Sequence, residues 1–288
     1  MHLNFWRLSP WALALSLLSP LASAREEGAS AASLGFADAV RSSATGPAAL
    51  TFNPAAMHQF MLYAVESGYE YSQPIDAHTF SVAVVDSATN ANIAMGMSYN
   101  YIYGHELDSD VGRTGHNLRF GAASGYRNDN WSVHFGLSGR YLNLTVGDGG
   151  SAEGITMDAG LLVVIQNMFR FGFVGHHLVD TGLAETPRQM GLGASFYYNA
   201  FLVGFDAVLD FETRDSATAQ LRAGLEYAVA ERFPVRIGYE ADRLRETHAI
   251  TGGIGYVSRV AGVDFGFRQN LQDSRDNVFS LNIRAFIP

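Results

Sequence analysis

The feature that most constrains this chain is a two-residue alternation of apolar side chains that recurs from about residue 60 to the C-terminus. In the stretch 93–103 every second residue is Ile, Met or Tyr, and most residues between them are small or polar. Successive side chains of a β-strand point to opposite faces, so the alternation predicts a sheet with one apolar face. Such a face lies either in the core of a soluble sandwich or against lipid around a closed membrane barrel.

The lengths of the periodic segments favour the membrane barrel. Most run about 9 to 13 residues, which fits a tilted membrane strand better than a soluble strand of about 5 or 6 residues. Short connections, such as 199–200, alternate with longer or more polar ones, such as 178–187 and 147–154. Outer-membrane barrels sort their turns and loops in this way. We therefore predict an all-β fold, a transmembrane antiparallel β-barrel of about 14 strands, with about 12 or 16 as alternatives. The predicted strand centres are Val65, Val82, Met97, Ala122, Leu137, Leu161, Phe171, Ala194, Phe205, Leu225, Ile237, Ile254, Phe265 and Leu281.

The region before the first strand divides into two parts. Residues 1–24 have the pattern of a secretory signal peptide, with Arg7, an apolar stretch over 11–18 and the cleavage motif Ala22-Ser23-Ala24. Residues 25–58 are rich in Ala, Gly and Ser, lack sustained alternation and contain Gly-Pro and Asn-Pro breakers. We expect export of the chain, an irregular N-terminal segment over 25–58, and a barrel over 59–288.

Composition excludes several classes of protein. The chain has no cysteine, so no disulfide supports it after export. Its net charge of −9 and its scattered basic residues, all arginine, argue against a nucleic-acid partner.

No cofactor or metal site is expected. The adjacent His176 and His177 point to opposite faces of a strand or lie at its end, which disfavours shared metal ligation. Ser132 and His134 share a strand face, but no third group completes a hydrolase triad. We therefore expect no catalytic residues and a protein that is not an enzyme.

The opposite face of the late strands carries a repeated charged pattern with a central glycine. Arg222-x-Gly224-x-Glu226 and Arg236-x-Gly238-x-Glu240 flank a tight turn at Glu231. Antiparallel pairing about this turn sets Arg222 against Glu240, and Glu226 against Arg236. Asp264-x-Gly266-x-Arg268 repeats the theme with the charges reversed.

These side chains predict a polar lumen. The predicted lumen-lining residues are His134, Arg140, Asp158, Asp206, Arg222, Glu226, Arg236, Glu240, Asp264 and Arg268. They either order water and guide a solute or form cross-strand ion pairs that hold the wall, and the glycines admit something bulky inside. Trp131, Tyr71, Tyr103, Tyr126 and Tyr256, near strand ends, are predicted to form interfacial aromatic girdles against outer-membrane lipid.

The N-terminal segment resembles the start of FadL-type outer-membrane channels and their PorV-like relatives. The similarity lies in Ser33–Ala39 and in Ala44–Met57, which contains the element Asn53-Pro54-Ala55 just before the first strand. The resemblance implies a fourteen-stranded barrel with the segment in the lumen as a hatch, which includes Phe52, Asn53, Pro54 and Ala55. It also implies passive uptake of small hydrophobic compounds such as fatty acids through the outer membrane of a Gram-negative-type bacterium. The alternative that it leaves open is a PorV-like barrel that docks a secretion or envelope protein and transports nothing.

Overall fold

The structure, a computed structural model, describes residues 30–105, 112–147, 150–183, 185–214 and 216–287. The predicted signal peptide, 1–24, lies outside these residues, as do residues 25–29 of the predicted hatch. No helix in the described ranges has the length and apolarity of a membrane span.

Fourteen strands form one closed antiparallel barrel. They are β1 (Tyr63–Ser72), β2 (Ala77–Asp86), β3 (Ile93–His105), β4 (Gly112–Arg127), β5 (Trp131–Val146), β6 (Gly150–Ile165), β7 (Phe169–His176), β8 (Gln189–Tyr198), β9 (Phe201–Asp210), β10 (Thr218–Val229), β11 (Phe233–Asp242), β12 (Thr247–Val257), β13 (Ala261–Asn270) and β14 (Asn277–Ile287). Each strand pairs with the next along the chain, and β14 closes the sheet against β1, from Tyr63↔Ile287 to Ser72↔Val278. Each predicted strand centre lies in its own strand, so the predicted barrel and its strand count are confirmed.

Most connections at one end of the barrel are tight turns, with the β2–β3 connection (87–92) as the exception, and most at the other end are longer. Tight turns join β6 to β7, β8 to β9 and β10 to β11, and residues with positive φ reverse the chain there, among them Asn199 (φ 54°) and Glu231 (φ 60°). The opposite end carries the connection between β7 and β8, the longest described. We call these the short-turn end and the long-loop end.

The sequence pattern placed one loop wrongly. Residues 147–154 are predicted as a longer or more polar connection, but β6 begins at Gly150 and its first residues pair with the end of β5. Strands β4, β5 and β6 have 16 residues each. Backbone hydrogen bonds extend this part of the wall past the point where the apolar alternation ends, because the ladder does not depend on side-chain polarity.

The outer face of the barrel is apolar and the inner face is polar. Along β13, for example, Val263 and Phe265 are more than 40% exposed, whereas Asp264 between them is 1% exposed. Of the predicted girdle residues, Trp131, Tyr103, Tyr126 and Tyr256 are exposed and Tyr71 is half-buried. Tyr126 and Trp131 contact each other at the short-turn end, with ring centroids 5.4 Å apart. Lipid is the environment that suits such an outer face.

Residues 30–58 form a compact segment with three short helical pieces. These are α1 (Ala31–Gly35), α2 (Pro47–Phe52) and a 3-10 helix over Pro54–His58. The hydroxyl of Ser30 accepts from the Ser33 N–H and caps α1, and Pro47 begins α2. Most of the segment is buried, and it shares one apolar cluster with inward residues of the wall such as Leu162 and Val164. The segment therefore lies inside the barrel, and we call it the lumenal segment.

Candidate functional site in the barrel lumen

A ring of glycines on the inner wall forms the seat of the lumenal segment. It takes one residue from each strand from β3 to β13, namely Gly96, Gly121, Gly136, Gly160, Gly172, Gly193, Gly204, Gly224, Gly238, Gly253 and Gly266. Several are cross-strand partners, such as Gly96↔Gly121 and Gly136↔Gly160. A Cβ added at any of them would lie 3.0 Å or less from an atom of the lumenal segment. The backbone approaches this closely only because these side chains are missing.

The predicted hatch residues lie at the β5 and β6 side of this ring. Phe52, Asn53 and Ala55 are at most 1% exposed, and Pro54 is also buried. The amide of Asn53 donates to the carbonyl of Arg41 (2.9 Å) within the segment and to that of Leu161 (3.2 Å) on the wall. Its Oδ1 accepts from the Ala55 N–H at 3.2 Å. One side chain thus caps the 3-10 helix, braces the segment and fastens it to β6. The role of Phe52, Asn53, Pro54 and Ala55 as a hatch stays a prediction.

Charged and polar bonds fasten the rest of the segment. Arg41 Nη1 lies 3.1 Å from Asp206 Oδ2, and both side chains are buried. At the far end the Ala31 N–H donates to Asn282 Oδ1 at 2.6 Å, and Thr251 donates to the Gly35 carbonyl at 3.0 Å. The segment is therefore held at both ends and in the middle.

The predicted hairpin register between β10 and β11 is confirmed. Arg222 pairs with Glu240, Gly224 with Gly238, and Glu226 with Arg236. The side chains meet as well, with Arg222 Nε 3.5 Å from Glu240 Oε2 and Arg236 Nε 2.6 Å from Glu226 Oε2.

Two ion networks extend from this hairpin, one on each side of the glycine ring. On the long-loop side Glu240 also accepts from Arg268, at 3.3 Å. On the short-turn side Asp264 lies between two guanidinium groups, 2.7 Å from Arg236 and 3.1 Å from Arg284. Such pairing satisfies charges that the barrel withholds from bulk water. The geometry agrees with a wall-holding role; whether these groups also guide a solute stays a prediction.

A third polar cluster lies on the long-loop side of the ring around Asp158. Its carboxylate is 3.3 Å from Arg119 Nη1 and accepts the backbone N–H of His177 at 2.9 Å. His176 Nδ1 is 3.4 Å from the same carboxylate, and His177 Nε2 lies 2.8 Å from Arg140 Nη1. Both histidines are buried. His176 lies on the inward face of β7, and His177 follows the strand with φ 55° and turns back inward. Among the described residues, no group of three or more His, Cys, Asp or Glu side chains is arranged to hold a metal ion.

A chain of hydrogen bonds links the lumenal segment to β5 on the short-turn side. His58 Nδ1 lies 3.0 Å from His134 Nδ1, and His134 Nε2 lies 2.9 Å from Ser132 Oγ. His58 Nε2 lies 3.0 Å from the carbonyl of Ala91, which can only accept, so His58 donates there. With both imidazole rings neutral, His134 then donates to His58 and accepts from Ser132.

The sequence analysis missed the glycine ring as a whole, Arg41 and His58. The pattern of one glycine midway between two charged residues, as in Arg222-x-Gly224-x-Glu226, was the sequence signal for part of the ring. Arg41 carries no such signal, because its partner Asp206 is 165 residues away in the chain.

Comparison with known proteins shows the fold. No family model matches the sequence, and no curated protein matches it. Among solved structures, the chain is similar to the monoaromatic hydrocarbon channel CymD (TM-score 0.67, 15% identity, 90% of this chain and 96% of that one). It is also similar to the toluene transporter TbuX of Ralstonia pickettii (TM-score 0.65, 16% identity, 90% and 97%). A FadL homologue of Pseudomonas aeruginosa gives TM-score 0.61, 13% identity, 89% and 98%. The predicted resemblance to FadL-type barrels is thus confirmed as one of fold.

Proposed function

We propose that this protein is a passive channel for small hydrophobic compounds in the outer membrane of a Gram-negative-type bacterium, with the lumenal segment as its hatch. Fatty acids and monoaromatic hydrocarbons are the compounds to test first. The proposal rests on one observation above all: a separate stretch of chain, largely apolar, fills a barrel whose outer face suits lipid. A wall that served only as an anchor would not need an interior shaped around a second element.

Two further observations support the proposal. The fold is shared with CymD and TbuX over nine tenths of the chain, and those barrels are described as a hydrocarbon channel and a toluene transporter. Towards the long-loop end the inner faces of β3 and β5 carry an aliphatic patch, with Ile102, Leu142 and Leu144 at most 3% exposed. Aliphatic side chains inside a barrel favour an apolar solute over water.

A reversible tether tests the hatch. The chain has no cysteine, so the double substitution Ala37→Cys and Gly238→Cys introduces one possible disulfide between segment and wall. A Cβ at residue 238 would lie 2.7 Å from that of Ala37, so about 1 Å of adjustment gives the usual Cβ separation of about 3.8 Å. Toluene and decanoate flux into liposomes is then measured in the oxidised and reduced states, with each single substitution as a control.

Flux that falls on oxidation and returns on reduction supports a moving hatch. Equal flux in both states, above that of empty liposomes, contradicts the hatch and leaves the channel. No flux above empty liposomes from the unsubstituted protein contradicts the channel and favours the docking alternative.

A further inference from the structure

A cavity of about 540 Å³ opens at the short-turn end of the lumen, where the lumenal segment joins the barrel. Gln59 and Phe60, which directly follow the lumenal segment, form one side of this cavity. Arg127 and Ser132 of the β4–β5 hairpin, with Arg170 of β7, form the other. Its volume lies within the range of about 300–1,000 Å³ that is typical of small-molecule sites.

Arg170 is the unusual residue in this cavity. It is 7% exposed, its Nε is buried without a hydrogen-bond partner, and its guanidinium forms no ion pair with a described residue. The guanidinium lies instead over the rings of Phe60 and Tyr197, whose centroids are 5.6 Å and 5.5 Å from the guanidinium carbon. Six of the other inward arginines lie against a carboxylate, and Arg140 is hydrogen-bonded to Asn117 and lies 2.8 Å from His177; the six are Arg41, Arg119, Arg222, Arg236, Arg268 and Arg284. A buried charge without a partner is costly, so the missing carboxylate at Arg170 calls for an explanation.

The other residues that line the cavity also lack negative charge. Arg127 also faces the cavity and donates to the carbonyl of Gln59, and none of the lining residues is Asp or Glu. The hydroxyl of Ser132 and the amide of Asn167 add neutral hydrogen-bonding groups. The cavity therefore combines two positive charges with no negative one, and aromatic rings border the more buried charge.

We propose that this cavity is a binding site for a small amphipathic carboxylate, an aryl or short alkyl monoanion. Arg170 receives the carboxylate in a paired hydrogen bond, which is the geometry that guanidinium groups favour. Phe60 and Tyr197 hold the apolar body of the ligand. The proposal deepens the proposed function by naming a ligand class at one end of the lumen, and it rests on that function only for delivery of the ligand.

The test compares a carboxylate with its neutral analogue on the unaltered protein. Binding of 4-fluorobenzoate and of 4-fluorobenzamide to the detergent-solubilised barrel is followed by fluorine NMR titration. We expect the carboxylate to bind at least about 10-fold more tightly than the amide, a difference of about 1.4 kcal/mol. Equal affinities overturn the proposal. Displacement of 4-fluorobenzoate by inorganic phosphate at a similar concentration also overturns it, because the site would then select charge and not the amphipathic body.

Substitutions locate the site and separate it from transport. Arg170→Met keeps the aliphatic stem and should abolish the preference for the carboxylate, whereas Arg170→Lys should keep part of it. Arg259→Met is the matched control, because Arg259 is exposed in another short turn and does not line the cavity. A preference unchanged in Arg170→Met overturns the proposal. Heat-modifiable gel mobility reports folding; should Arg170→Met fail to fold, the carboxylate–amide comparison on the unaltered protein decides.

Toluene flux in liposomes is measured for the same variants. Lost carboxylate binding with unchanged toluene flux supports the site and leaves the channel intact. Absent toluene flux in the unaltered protein, with carboxylate binding retained, contradicts the proposed function and not this site.

Discussion

Arg41 and Asp206 join the lumenal segment to the wall of the barrel by two bonds to a single oxygen. The Asp206 Oδ2 atom accepts from the Arg41 guanidinium at 3.1 Å and from the Arg41 backbone N–H at 3.0 Å. The carboxylate therefore fixes both the side chain and the main chain of the segment at the level of the glycine ring.

Asp206→Asn should release this joint. The substitution removes the carboxylate charge that faces the buried Arg41 guanidinium, and losing one member of a buried ion pair costs about 3–5 kcal/mol. Arg41 is the only arginine, and there is no lysine, between residues 30 and 58. Trypsin should therefore cut after Arg41 in the variant and spare it in the parent.

Asp273→Asn is the control for this experiment, because its pair with Arg275 is exposed. Equal protection of Arg41 in both variants would mean that the Asp206 pair does not hold the segment.

Gly136→Val should prevent the segment from seating. An added side chain at Gly136 would overlap the backbone between Pro54 and Ala55, which cannot move without displacing the 3-10 helix. Trypsin cleavage after Arg41 and a rise in toluene flux are the expected results. Gly252→Val is the matched control, because a Cβ there meets only one atom, at 4.0 Å. If Arg41 in Gly136→Val is still protected from trypsin, the glycine ring is not what seats the lumenal segment.

Asp264→Asn should destabilise the barrel more than Glu226→Gln. Asp264 is the common partner of Arg236 and Arg284 and its side chain is 1% exposed, whereas that of Glu226 is 23% exposed. Loss of the buried carboxylate leaves two guanidinium groups with one partner fewer each, and we expect about 3 kcal/mol or more. Denaturant unfolding in vesicles, followed by Trp131 fluorescence, measures both variants. The reverse order of stability would contradict the network.

An arginine on the outer face tests the lipid contact. Phe205, at the middle of β9, is 59% exposed, so Phe205→Arg places a charge at the level of the acyl chains. Such a charge costs about 2–4 kcal/mol near the midplane of a bilayer and about 0–1 kcal/mol near its surface. Leu271→Arg, in the loop after β13, should therefore cost little, although Leu271 is 56% exposed. Similar unfolding free energies for the two variants would falsify the membrane-facing assignment of this surface.

The wall of the barrel could be predicted from the sequence because its rules are local. Alternation identifies each strand, and the turn at Glu231 fixes which residue of β10 lies opposite Glu240. The same reasoning places charged residues such as Asp158 and Asp264 on the inner face. Where the apolar alternation is weak, as at Gly150 in the β5–β6 hairpin, the first residues of β6 were predicted as part of a loop.

The interior could be predicted only in outline. The joints of the lumenal segment connect residues far apart in the chain, such as Ala31 with Asn282. No spacing rule links such positions, because they meet only after the sheet has closed. The pairing of His58 with His134 and the carboxylate-free surroundings of Arg170 depend in the same way on the closed cylinder.

The order of elements along the chain has a consequence for assembly. Residues 30–58 precede β1 and contact strands around the barrel, β1 and β14 included, while the seam between β1 and β14 forms from the two ends of the sheet. The closed sheet therefore encloses a stretch of polypeptide that precedes every strand in the chain. Without that stretch, the cylinder would surround an unfilled interior bordered by eleven glycines.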